Sequence, residues 1–346
     1  MFLNPTSLPL AIGLFIAMTA VIGVVGTRLA RVVDELADRT GLGEAIAGAV
    51  LLGMVTSLSG IMVSVSAAWG GRPELAMSNA LGGIAAQTLF LTIADICYRR
   101  ANLEHAAASL GNIMQGALLL CLLALIMVGR FAPELTLWQV HPVTPLLFFA
   151  YVFGLRLVSQ TQSDPMWNPA RTYETRVDEP EEDNLKRSLG RLLATFAIFG
   201  ALIGLAGWLL ERSATVIAEE SGISQAAVGI LLTSVATSLP ELVTTVAAVR
   251  RGALTLAVSG IIGGNAFDTL FAAVSDVAYR DGSIYHAIPD SVSLWIALAL
   301  LMNTVLIAGL VRRQREGPGR IGFESVAIIV CYLIGIAIMV GSGGKA

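Results

Sequence analysis

Apolar residues run along this chain in long blocks separated by short polar turns. Ten blocks reach the roughly 20 residues that a hydrocarbon core of ~30 Å demands at 1.5 Å per residue. They are 8–29, 43–68, 75–97, 106–129, 142–160, 189–211, 223–249, 253–279, 291–311 and 323–342. Each is continuous and does not alternate, so the pattern predicts helices and not the ~10-residue strands of an outer-membrane barrel. The expected fold class is all-α integral membrane, with ten transmembrane helices. The first block follows a leader, Met1 to Pro9, without a basic residue and is too long for a signal h-region, so it is expected to remain as a span. One long hydrophilic stretch, 161–187, carries Asp178, Glu179, Glu181, Glu182 and Asp183 around Pro180. It divides the chain into a first five-helix half (1–160), an acidic cytoplasmic linker (161–187) and a second five-helix half (188–346).

Composition narrows the class further. Apolar residues make up 55% of the 346 and charged residues 14%, against about 25% charged in an ordinary globular chain. Mean hydropathy is +0.75. Too little charge is present to cover a water-soluble surface, and a formal charge of −3 offers no basic footprint for nucleic acid. Cys97, Cys121 and Cys331 sit in apolar runs with neither metal-ligand spacing nor a disulfide framework. The expected partners are the lipid bilayer and inorganic cations, and no cofactor is implied. Of the 22 basic residues, 17 fall on the side that holds the loops after spans 1, 3, 5, 7 and 9. The positive-inside rule then puts both termini away from the cytoplasm. The short linker and the lack of appended domains suggest a bacterial inner membrane.

An internal repeat is visible without gaps. Residues 41–99 align with 222–280 at a constant offset of 181, and 22 of the 59 positions are identical. The matches include Thr56/Thr237, Ser57/Ser238, Leu58/Leu239, Gly82/Gly263, Gly83/Gly264, Asp95/Asp276 and Tyr98/Tyr279. The copies stand five spans apart, an odd number, so they are expected to be inverted relative to each other in the bilayer. Inverted repeats are a signature of secondary transporters, whose sites lie near the midplane on interrupted helices.

Ionisable residues inside spans are expensive and mark function. Glu241 lies in the run Ser234 to Glu241, and Asp268 closes Gly263 to Asp268. Pro240 is expected to break span 7 near Ala236 and Thr237 and free carbonyl oxygens. Gly260, Gly264 and Asp268 recur at spacing four, which aligns the acid with a smooth glycine face. Two carboxylates, freed carbonyls and the hydroxyls of Thr237 and Ser238 make a hard-oxygen set suited to Ca²⁺ or Na⁺.

These residues resemble the calcium/cation antiporter superfamily, which includes the sodium/calcium exchangers. Ala236-Thr237-Ser238-Leu239-Pro240-Glu241 and Gly263-Gly264-Asn265-Ala266-Phe267-Asp268 are similar to that family's two repeat motifs. The resemblance implies Ca²⁺ exchanged against Na⁺ or H⁺ by alternating access. It implies ion contact by Thr237, Ser238, Glu241 and Asp268, with spans 1 and 6 sliding past the core. The first repeat departs from the pattern. Thr56-Ser57-Leu58 is kept, but Ser59-Gly60 stands in place of Pro-Glu, and Gln87 in place of the closing acid. The expected site is therefore of reduced charge: Glu241 and Asp268 carry −2, and Gln87 offers only an amide oxygen.

Competing readings attach to several of these residues. Glu241 and Asp268 could be interhelical structural acids. Thr237 and Ser238 either contact the ion or cap freed carbonyls. Thr56 and Ser57 belong to the repeat that lacks the acid, and Asn265 and Gln87 could serve as helix–helix glue. Asp95 and Asp276 are expected to form interfacial ion pairs with Arg99 and Arg280. Trp69, Trp138 and Trp295 read as interface anchors. No metalloprotease, aspartyl or Ser-Lys signature points to an intramembrane enzyme. The alternative to transport is a membrane scaffold or regulatory protein descended from an exchanger.

Overall fold

The computed structural model describes residues 5–40, 53, 55–98, 100–107, 109–170, 172, 173, 175, 188–315, 317 and 321–341. The start of the first repeat (41–52), Arg99 and the acidic cluster 178–183 lie outside the described residues. Helices account for all named elements. In the first half they are α1 (Leu8–Thr40), α2 (Leu58–Trp69), α3 (Pro73–Cys97), the short α4 (Leu103–Ala106), α5 (Leu110–Phe131) and α6 (Val143–Ser163). The second half holds α7 (Leu189–Ser221), α8 (Gln225–Val228), a π-helical turn (Gly229–Thr233) and α9 (Ser234–Thr237). After these come α10 (Leu239–Arg251), α11 (Leu254–Ala278), α12 (Ile284–Ala287), α13 (Asp290–Arg312) and α14 (Phe323–Gly341).

Among the described residues, eight helices are long and apolar enough to cross a membrane, and nine if the bent pair Gln225–Thr237 and Leu239–Arg251 is one span. The tenth expected span, 43–68, includes residues 43–52 and 54, which lie outside the described residues; α2, with 12 residues, is its longest described part.

Local chemistry sets the helix ends. Pro73 opens α3 at a position where its missing amide hydrogen costs nothing. Ser109 and Ser224 accept the amides of Asn112 and Ala227 at the starts of α5 and α8. Gly222 and Gly252 end α7 and α10 in the left-handed region, at φ 72° and 88°.

Helix α3 packs against α11 at the centre, and α5, α13 and α2 surround them. The most apolar 18-residue windows of α3 and α11 are each 78% buried, against 11% for α1 and 28% for α7. Helices α1 and α7 pack chiefly on each other at the periphery. The offset of 181 found in sequence recurs in the helix bounds. Leu8–Thr40 pairs with Leu189–Ser221, Pro73–Cys97 with Leu254–Ala278, and Leu103–Ala106 with Ile284–Ala287.

Two expectations are corrected. Asp276 is not ion-paired with Arg280. It is fully buried and accepts the amides of His141 (2.8 Å) and Ile284 (3.1 Å) and the hydroxyl of Thr144 (2.6 Å). Asp95 makes the same bonds at the matched positions: the amides of Leu103 (2.7 Å) and Gly322 (3.2 Å) and the hydroxyl of Ser325 (2.8 Å). Each partner set is 181 residues from the other, and each acid reaches into the opposite half. Both acids thus satisfy loop amides that have no water to bond. Trp69 and Trp138 are exposed as interface anchors should be, but Trp295 is fully buried, edge-on to Tyr332 at 5.6 Å.

Candidate functional site

The break in the second repeat falls one residue beyond its expected place. Helix α9 ends at Thr237, Ser238 adopts φ −93° and ψ 4°, and α10 departs at 46° to the segment before it. Pro240 removes one amide from the ladder, and its neighbour Glu241 lies in the first turn of α10. The carbonyl of Thr237 is taken instead by the hydroxyl of Ser59 at 3.3 Å, across the two halves. The π-helical turn just upstream lies against α3: Gly229 leaves room for Ser78, and Gly82 for Ile230 and Ser234. A π-turn shifts the phase of the residues after it, here those of the Thr237–Glu241 motif.

All eight sequence-predicted residues are buried. Four join in one chain of hydrogen bonds. Ser57 donates to Asp268 Oδ1 at 2.6 Å, and Gln87 donates to Asp268 Oδ2 at 2.6 Å and to the Ser238 hydroxyl at 3.3 Å. The chain is close to self-matched at offset 181: Ser57 meets Asp268 as Ser238 meets Gln87. Gly83 and Gly264 lie beside this chain: a Cβ on Gly264 would stand 3.4 Å from Gln87 Oε1, and one on Gly83 3.8 Å from Asp268 Oδ2, both ordinary contact distances.

Glu241 sits beside this chain. Thr56, whose hydroxyl is 3.2 Å from the carbonyl of Gly53, also hydrogen-bonds the Glu241 carboxyl. Both line a small, partly open cavity with Gly53, Thr244, Thr245, Leu256 and Gly260, with about 30 Å³ of space for water centres. That is room for about two water-sized occupants. Nothing lies within 4 Å of a Cβ placed on Gly260, so this glycine opens the cavity wall.

Two predicted residues stand apart. Thr237 turns its hydroxyl back to the carbonyl of Ser234 at 3.2 Å, the capping alternative. Asn265 donates to Thr88 at 3.0 Å, and Thr88 lies 3.4 Å from Asn303 Oδ1, so Asn265 bridges helices one step from the acids.

Three buried side-chain oxygens of the cluster lack a hydrogen-bond partner: Glu241 Oε2, Gln87 Oε1 and Asn265 Oδ1. Unpartnered buried oxygens are costly and uncommon. Here all three are hard donors of the kind that hold Na⁺ or Ca²⁺. Among the described residues no three carboxylate, imidazole or thiol groups converge on one point. A cation here would draw on two carboxylates completed by hydroxyl, amide and carbonyl oxygens.

Sequence reasoning passed over Ser59, the ring of Phe271 and the buried ion pair of Arg72 with Glu211. The pair carried a signal: Glu211 closes an expected span, and Arg72 is one of five basic residues on the sparse side.

The sodium/calcium exchanger protein family model matches residues 10–158 and again 191–341, once in each half. The chain belongs to the sodium/calcium exchanger family. It is thus a membrane transporter and not an enzyme. The chain is 27% identical over 298 residues to the inner membrane protein YrbG of Escherichia coli, covering 85% of this chain and 86% of that one. Its fold is similar to a crystal structure of the H⁺/Ca²⁺ exchanger CAX, with TM-score 0.71 at 12% identity, covering 94% and 81% of the two chains. It is also similar to the sodium-calcium exchanger NCX_Mj, with TM-score 0.62 at 18% identity, covering 96% and 99%. At these identities the two structures speak to fold alone.

Proposed function

We propose that this exchanger is a secondary active antiporter that moves Ca²⁺ against Na⁺ or H⁺ by alternating access. In this reading the two five-helix halves are inverted in the bilayer and meet at the Ser57–Asp268–Gln87–Ser238 chain. Glu241 and Asp268 carry the ligand charge. Thr56, Ser57, Ser238 and Gln87 orient the carboxylates and add oxygens, and Thr237 and Asn265 join when the cluster rearranges around an ion. The observation that carries the reading is the unpartnered Glu241 oxygen, buried beside a cavity lined by Thr56, Thr244 and Thr245 and opened by Gly53 and Gly260.

Charge arithmetic bounds the cargo. Two ionised carboxylates neutralise one Ca²⁺ or two monovalent cations. Gly60, the first-repeat match of Glu241, brings no third carboxylate. A lower ligand charge weakens Ca²⁺ binding. A proton held on either acid makes H⁺ the counter-ion.

The test is flux. The purified protein, reconstituted in liposomes, is expected to take up ⁴⁵Ca²⁺ when Na⁺ or H⁺ is loaded inside and to stop when that gradient is collapsed. Glu241→Gln and Asp268→Asn are each expected to cut initial rates by at least tenfold. Uptake that survives both substitutions would sink the site. No uptake of any cation under either gradient would favour the scaffold reading.

A further inference from the structure

We propose that Phe271 is the residue that limits this site to two carboxylates, by filling the space that a side chain at position 60 requires. The inference rests on the assignment of Glu241 and Asp268 as the cation-binding acids. The offset of 181 pairs Gly60 with Glu241, so an acid at 60 would face the cluster from the first repeat as Glu241 does from the second.

The two positions have different neighbours. Glu241 looks into a cavity bounded by Gly260, beside which a Cβ would meet nothing within 4 Å. A Cβ on Gly60 would stand 2.5 Å from Phe271 Cε2 and 3.1 Å from Cζ. A contact below 3.0 Å does not occur between real side chains, so the ring has to move before any residue larger than glycine fits. The ring is not free to do so at low cost. It is 4% exposed and edge-on to Phe267 at 6.3 Å, and Phe267 is edge-on to Tyr151 at 6.0 Å.

A second side chain holds the backbone of Gly60. Asn79 occupies the place that Gly260 holds in the second repeat. Its amide donates to the carbonyl of Gly60 at 3.1 Å and to the Ser64 hydroxyl at 3.0 Å. At the first-repeat positions that match Gly260 and Thr245 of the Glu241 cavity, Asn79 and Ser64 are thus bonded to each other, and the Phe271 ring lies against Gly60 itself. Adding an acid to this half-site requires two changes, one to supply the carboxylate and one to clear its volume.

The experiment is equilibrium ⁴⁵Ca²⁺ binding to the full-length protein in detergent, for the parent, Gly60→Glu, and Gly60→Glu with Phe271→Ala. Gly60→Glu alone is expected to give no tightening. The double variant is expected to lower Kd for Ca²⁺ at least tenfold, and adding Glu241→Gln is expected to abolish the gain. A single Gly60→Glu variant that tightens as much as the double overturns the proposal, as does a folded double variant with no gain. A stability cycle reads the packing without any ion. Gly60→Ala is expected to lower Tm in the parent but not in a Phe271→Leu background, and equal losses in both would contradict it. A parent that binds neither Ca²⁺ nor Na⁺, with the stability cycle intact, would sink the cation site and leave the role of Phe271 in closing position 60 standing.

Discussion

Asp268 takes one hydroxyl and one amide hydrogen from the first half of the chain, and no residue of its own half supplies either. That pairing was partly legible in sequence. A hydroxyl pair, a glycine pair and an amide opposite an acid all recur at one offset, so Thr56, Ser57, Gln87, Ser238 and Asp268 could be placed together by register. Phe271 also recurs, as Phe90, but register does not show that its ring fills the space at position 60, 211 residues away. Outside the spans, the short helix α4 buries Glu104. Burial first, then the charges of Asp95 and Glu324, hold its carboxyl well above the usual carboxylate range. The folded protein therefore keeps a proton that the unfolded chain releases above about pH 4.3. This contribution to stability is whole below that pH and declines as pH rises towards the folded value. Replacing Glu104 with Gln is expected to flatten the fall in Tm as pH rises above the unfolded carboxylate range, measured in detergent against the parent. Identical slopes would show that Glu104 titrates alike in both states.

At the scale of elements, α1 and α7 were expected to end near residues 29 and 211 but run to Thr40 and Ser221. Hydropathy follows apolar residues, and it loses a helix whose last turns are polar yet satisfied. Glu211 shows how that satisfaction arises. Its side chain is fully buried, accepts from Arg72 at 2.5 and 3.0 Å and from Thr215 at 3.0 Å, and ties α7 to the turn before α3. The positions 181 residues away are Ala30 and Ala253, so the tie exists at one end of the molecule only. Removing one partner of a buried pair strands the other and costs about 3–5 kcal/mol. Arg72 is 18% exposed and Glu211 keeps Arg212 Nε at 3.7 Å, so Arg72→Ala is expected to cost about 3 kcal/mol or less. Thermal unfolding in detergent checks this. Arg72→Ala is expected to destabilise more than the double replacement Arg72→Leu with Glu211→Leu, which removes the buried carboxylate and leaves Arg212, 3.7 Å from Glu211 and 38% exposed, to solvent. The opposite order would show that packing and not charge joins these elements.

For the whole molecule, the offset of 181 runs from α1 and α7 through the matched clasps of Asp95 and Asp276. Sequence identity revealed only 41–99 and 222–280, because outside that stretch the halves share shape and not side chains. Tyr285 stands opposite Glu104, and Val143 opposite Glu324. The basic residues were expected to put the α10–α11 turn in the cytoplasm and the α2–α3 turn on the other side. Alternating access by equivalent halves depends on that inversion. Trp69 and Arg250 occupy the same position in the two repeats and are both exposed. Single cysteines at these positions, in a chain lacking Cys97, Cys121 and Cys331, can be labelled with a membrane-impermeant maleimide in oriented vesicles. The inverted arrangement predicts that Arg250→Cys reacts only from the cytoplasmic face and Trp69→Cys only from the opposite face. Labelling of both from one side would contradict it.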